Sequence, residues 1–196
     1  MTWWTELKTN LKIRRGGYTM KIIVLHGSTR KNGNTARLAN EFVKGASKNN
    51  DVEIVSVADY KVNPCTSCNA CFVKEDHSCC QKDDMNIIYN KLAQADMVVV
   101  ASPVYCFGVS AQLKAILDRL HAPIRKTFNV KKLGLLIVAG DTNPEVFECI
   151  ELPYTLFCDY FKLEDAGKVL VSGVLDKGDI EGNKGLEEAY NLGLSL

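Results

Sequence analysis

A doubly wound α/β fold, five parallel strands with helices on both faces, is predicted by three features of this sequence. Short apolar runs alternate with segments whose apolar residues recur at helical spacing, the pattern of β-α-β units. Nearly every run leads into a turn rich in Gly, Pro, Ser or Asn, as strand exits do. The chain has 196 residues, 46% hydrophobic and 24% charged, which suits one globular domain of this architecture.

The elements follow in order. Lys-Ile-Ile-Val-Leu-His at 21–26 reads as a buried strand, and residues 27–33 as a polar, glycine-bounded turn. Leu38, Ala39, Phe42, Val43 and Ala46 mark the first helix. Residues 52–57 read as a second strand, and 58–82 as a long loop. A helix follows, with Asp83 or Asp84 as N-cap and Met85, Ile88 and Leu92 on one face. Residues 97–101 are a continuous apolar run and the third strand. Ser110 caps a helix whose face is Leu113, Ile116, Leu117 and Leu120. Residues 133–139 form a fourth strand, and Asn143-Pro144 opens a helix with proline in its first turn. Residues 169–171 belong to a fifth strand, and 185–194 close the chain as a helix.

Residues 1–19 stand apart. They carry Lys8, Lys12, Arg14 and Arg15 against Glu6 alone, without the apolar stretch or cleavage site of a secretory signal. They read as an extension outside the fold, which then occupies 20–196. The alternative is an arm whose Trp3, Trp4 and Leu7 pack on a partner subunit. A formal net charge of +1 gives no reason to expect nucleic acid. The longest apolar stretch, 133–140, is too short to span a bilayer, so no membrane partner is expected either.

The turn at 26–35 reads His-Gly-Ser-Thr-Arg-Lys-Asn-Gly-Asn-Thr, between a strand and a helix. Helix-start amides with hydroxyls and an Arg beside them make an anion site. The spacing departs from a Walker A loop and from G-x-G-x-x-G, which disfavours a triphosphate or a dinucleotide and favours a monophosphate. The plainer alternative is a tight turn in which Ser28 and Asn32 make only local bonds.

On these residues the chain resembles flavodoxin-like proteins, and more closely the Gly-Ser-x-Arg-x-x-Gly-Asn-Thr form of the NAD(P)H-dependent FMN reductases. The resemblance continues at 101–115, Ala-Ser-Pro-Val-Tyr-Cys-Phe-Gly-Val-Ser-Ala-Gln-Leu-Lys-Ala, which is similar to the loop that lies along the flavin in that family. Cys106 departs from the bulky aromatic usual directly after Tyr105. The resemblance implies FMN as cofactor, NAD(P)H as electron donor and a homodimer or larger even assembly. On this reading Ser28, Arg30, Asn32, Gly33, Asn34 and Thr35 surround the phosphate. Pro103, Val104, Tyr105, Cys106, Phe107 and Gly108 lie along the ring, and Gly140, at the exit of the fourth strand, forms a third wall by topology. The flavin carries the chemistry, so no catalytic side chain is expected. His26 reads as structural, and His77 and His121 receive no role.

Eight cysteines are present, five of them at 65–80. Cys65-x₂-Cys68-x₂-Cys71-x₇-Cys79 brings thiolates together as the compact ferredoxin motif does, and Cys80 is an alternative fourth ligand. The run resembles the motif of the iron–sulfur flavoproteins, which bind FMN and a [4Fe–4S] cluster. Zinc and free or redox-active thiols are the other two readings. With no signal peptide and a chain long enough for a full core, the cysteines point to a cytoplasmic protein rather than a disulfide scaffold. The expected function is an FMN-dependent oxidoreductase passing electrons from NAD(P)H to a quinone, flavin, nitro compound or redox protein. The alternative is an iron–sulfur electron carrier fed by ferredoxin. The cysteine loop leaves the second strand near the carboxyl edge of the sheet, where FMN must sit.

Overall fold

The computed structural model describes residues 19–196; the extension expected over 1–19 lies, apart from Thr19, outside them. The elements are β1 (Lys21–His26), α1 (Asn34–Ala46), β2 (Asp51–Ser56), α2 (Ala70–Val73), α3 (Met85–Ala93), β3 (Met97–Pro103), α4 (Ala111–Arg119), β4 (Lys132–Val138), α5 (Glu148–Phe161), β5 (Glu164–Val171) and α6 (Lys184–Leu194). The five strands are all parallel, in the order β2-β1-β3-β4-β5, so the expected doubly wound fold is present.

Side chains alternate across each strand and so divide the core in two. Ile23, Leu25, Val98, Val100, Leu133 and Leu135 face one way and meet α3, α4 and α5. Ile22, Val24, Met97, Val99, Leu136 and Val138 face the other way and meet α1 and α6. The runs 97–101 and 133–139 look continuous in sequence because both of their faces are covered.

Three local details differ from the sequence reading. The loop after β2 is not wholly irregular, because α2 forms a single turn at Ala70–Val73 within it. Asp84 is the N-cap residue of α3, but its carboxylate accepts instead from the Lys61 amide, and Asp83 accepts from the Met85 amide. Asn143-Pro144 opens a 3-10 turn, Pro144–Phe147, before α5 begins at Glu148. The Asn143 side chain caps that turn by accepting from the Glu145 amide.

Helices α1 and α6 cross in close contact through two glycines. A Cβ at Gly45 would stand 2.1 Å from the Tyr190 carbonyl oxygen, and one at Gly193 would stand 2.2 Å from that of Phe42. Alanine favours a helix interior over glycine by about 1 kcal/mol, but here it would force the two helices apart. Gly193→Ala is therefore expected to destabilise the fold by about 2 kcal/mol net, read as a lowered urea midpoint. A raised midpoint would show that the helices separate without cost.

Candidate functional site: a strand-exit cleft and a cysteine cavity

Because the sheet is parallel, the loops after β1, β3 and β4 leave along one edge. The order reverses between β1 and β3, the switch point where ligands of this architecture bind. The loop after β1 turns sharply. Ser28 is buried and its hydroxyl accepts from the Arg30 amide, Asn32 adopts a left-handed φ of 55°, and the Gly33 amide donates to the Arg30 carbonyl. Gly33 is then the N-cap of α1, and no side chain caps the helix. The amides of the first turn thus have no side-chain cap, the condition in which a helix start can take an anion. Arg30 and Lys31 are exposed beside them, and neither forms an ion pair among the described residues.

The Asn34 side chain does something the sequence did not disclose. Its amide donates to the carbonyls of Val174 and Asp176, and its oxygen accepts from the Gly178 amide. The carboxamide is thus committed to the loop after β5, and only its backbone amide faces the turn. His26, at the end of β1, is buried against Ser56, and burial holds its pKa below the ordinary value. That fits the structural role expected of it.

The loop after β3 forms a two-residue hairpin. The amides of Tyr105 and Gly108 each donate to the other's carbonyl, with Cys106 and Phe107 at the tip. Both tip residues have positive φ, 47° and 61°, as a type I′ turn requires. Such turns are usually built from Asn and Gly. Here a thiol and a phenyl ring occupy them, and Phe107 is 63% exposed. The Ser102 hydroxyl, accepting from the Ser110 amide, closes the base of the loop. Ser110 in turn caps α4 by accepting from the Leu113 amide, as expected. Beneath Tyr105, Cys106 and Gly108 opens an apolar cavity of about 840 Å³, running between α4 and α5 over the sheet. Nothing in the sequence pattern announced it. Gly140, at the end of β4, is exposed and backed by Leu175.

The cysteines form a second feature. Cys65, Cys68, Cys71 and Cys79 line one small cavity of about 80 Å³. Cys80 lies outside that lining, with its sulfur 3.6 Å from Cys68 Sγ. Burial and the neighbouring Cys79, Cys68 and Cys65 sulfurs push the Cys71 thiol up. The Ala70 amide, then the Cys80 thiol and the Thr66 hydroxyl, hold Cys68 down. Among the described residues no group of three or more Cys, His, Asp or Glu side chains sits at the spacing of a single metal ion. One zinc needs its sulfurs about 2.3 Å from a common point, whereas a four-iron cluster takes each thiolate on its own iron around a larger body.

The far wall of this cavity is the carboxyl end of α4, with Arg119, His121 and Ala122, together with Tyr89 of α3. Helix α4 starts at the carboxyl edge of the sheet, and its nine residues rise about 13 Å. The cysteines therefore sit partway down the helical face, not on the edge itself as the loop's origin suggested. Arg119 and Asp83 form an ion pair whose side chains are 1% and 4% exposed. Sequence reasoning missed this pair. Arg119 falls four residues after Ala115 and three after Ile116, on the buried stripe, and that placement was the available signal.

The hairpin tip generates a stability prediction. Two non-glycine residues in the left-handed region cost on the order of 1–3 kcal/mol each. Replacing them together, Cys106→Asn with Phe107→Gly, is expected to raise the stability of the flavin-free protein by about 1 kcal/mol. Equilibrium denaturation with an unchanged slope checks it; an unaltered or lower midpoint would refute the strain.

Comparison with known proteins agrees with this geometry. Residues 20–146 match the model of the NADPH-dependent FMN reductase family. An iron–sulfur flavoprotein of Methanocaldococcus jannaschii is 41% identical over 123 residues, which cover 62% of each chain. An iron–sulfur flavoprotein of Archaeoglobus fulgidus is 36% identical over 132 residues, 64% of this chain and 58% of the relative. The chain thus spans about three fifths of the length of these relatives. Among solved structures, an NAD(P)H:quinone oxidoreductase from Methanothermobacter marburgensis superposes with a TM-score of 0.70 at 15% identity, covering 90% of this chain and 98% of that one, a likeness of fold. The match over residues 20–146, most of the chain, places this protein in the NADPH-dependent FMN reductase family.

Proposed function

We propose that the protein binds FMN in the strand-exit cleft and works as an oxidoreductase, taking electrons from NAD(P)H and passing them to a quinone, flavin, nitro compound or redox protein. The observation that carries this reading is the uncapped start of α1, flanked by Arg30 and Lys31, at the switch point of the sheet. When bound, FMN supplies a ring that accepts a hydride and releases electrons. The amides of Asn34 and Thr35 and the buried Ser28 hydroxyl would hold the phosphate oxygens, and Arg30 would offset their charge. Pro103 and Val104 offer an apolar wall. Val104 is fixed by its amide donating to the Val138 carbonyl. The Tyr105 and Gly108 amides are spent within the hairpin, leaving those of Cys106 and Phe107 outside its own bonding. Exposed Leu152, Leu156 and Tyr160 recur at helical spacing along α5 and support the expected homodimer.

In the test, Ser28→Ala with Arg30→Ala raises the dissociation constant for FMN at least about tenfold, one charge-assisted hydrogen bond being worth about 1.5–3 kcal/mol. Riboflavin, which lacks the phosphate, changes less than about twofold. Equal loss of both ligands would remove the phosphate from this turn.

A second reading is favoured by the four thiols around one cavity: an iron–sulfur flavoprotein, with Cys65, Cys68, Cys71 and Cys79 as cluster ligands. A [4Fe–4S] cluster supplies one-electron exchange. Two relatives carry that name; Cys79 lines the cavity, and Cys80, 3.6 Å from Cys68 Sγ, stays the alternative fourth ligand. Protein prepared without oxygen should contain about four iron per chain, and Cys68→Ala should lose most of it. A flavin-only spectrum with no iron in the parent would leave a plain FMN reductase.

A further inference from the structure

A guanidinium has five N–H donors and needs acceptors for them when buried. Arg119 is 2% exposed, and its Nη1 donates to the Asp83 carboxylate and to the Asn63 carbonyl. Its Nε and Nη2 have no partner among the described residues. Arg119 also lines the cavity formed by Cys65, Cys68, Cys71 and Cys79. One edge of the cation therefore fastens the neck of the cysteine loop, while the other edge is buried and unsatisfied in a residue that lines the cysteine cavity.

We propose that the free Nε and Nη2 donors of Arg119 face an anionic group held by these thiolates, donating hydrogen bonds to its sulfur and raising its reduction potential. The inference rests on the cluster reading above. A guanidinium stays charged at any working pH, and here it is paired with the buried Asp83 carboxylate. Asp83 balances that charge through Nη1, and the remaining donors, buried and unpaired among the described residues, are open to a partner in the cavity that their residue lines. Thiolates around an iron–sulfur core carry net negative charge, and it grows on reduction. Donors aimed at the sulfurs stabilise the reduced form more than the oxidised one.

The experiment is an EPR-monitored redox titration of anaerobically prepared protein, comparing the parent with Arg119→Lys and with the charge-balanced pair Arg119→Met, Asp83→Asn. Lysine keeps the ion pair with Asp83 but lacks the planar fork; the double variant leaves no uncompensated buried charge. Circular dichroism and FMN content report the fold in each. The expected result is that iron is retained while the reduced-to-oxidised ratio at a fixed potential falls about tenfold in both variants, about 59 mV lower for a one-electron couple. Iron retained at an unchanged potential would overturn the assignment alone and make Arg119 only a fastener of the loop. No iron in the parent would overturn the cluster reading and this inference together.

Discussion

A parallel sheet has one carboxyl edge, and every strand must leave by it. This single constraint organises the molecule. The register of β1 against both β2 and β3 places β1 inside the sheet, and the chain departs to opposite sides after β1 and β3. The cleft between those exits cannot be filled by a crossover helix, because each helix covers a face of the sheet. Helix α1 also begins at this edge, so its positive end points into the cleft. The turn after β1 and the hairpin after β3 need no direct contact to be held in place, since both are fixed by strands that share hydrogen bonds.

The cysteine loop is anchored differently. Its neck is closed by a small set of polar contacts: the Lys61 amide to Asp84, the Asp84 amide to the Lys61 carbonyl, and the Asn63 amide to Asp83. Arg119 ties the same two segments to α4. Burial would raise the Asp83 pKa, but Arg119 and the amides of Asn63 and Met85 hold it low, so the pair stays ionised. The entropy of closing a long loop is thus met by protein groups alone. A metal group entering the cavity would meet ligands already gathered on one side of the molecule. Apolar neighbours contribute as well, for His121 and Phe72 bring their rings within 5.3 Å across the same region.

Much of this was readable from the chain. Strand alternation, the Ser110 cap and the glycine-bounded turn after β1 are local signals, and each is found where the pattern put it. The cysteine spacing announced a loop whose Cys65, Cys68, Cys71 and Cys79 line one cavity. What escaped was non-local. Asn34 belongs by sequence to the phosphate turn, yet its carboxamide serves residues 140 positions away. The left-handed hairpin at Cys106 and Phe107 contradicts local preference and is imposed by the closure between Tyr105 and Gly108. The apolar cavity under it depends on how far α4 and α5 stand apart, which no periodicity encodes. Arg119 was hidden because a charged residue on an apolar stripe is usually assigned to solvent.

The Asn34 contacts bear on how the protein is made. Synthesis proceeds from the amino terminus at about 5–20 residues per second, and domains generally fold as units. The start of α1 leaves the ribosome 140 or more residues ahead of its carboxamide partners, Val174, Asp176 and Gly178. The packing of α1 on α6 waits later still, for residue 193. A nascent chain carrying every residue of the phosphate turn would therefore lack the support that shapes it. On the proposed function, flavin capture waits until α6 has been made, and a translation product cut short before α6 would leave the ribosome with an unsupported first helix.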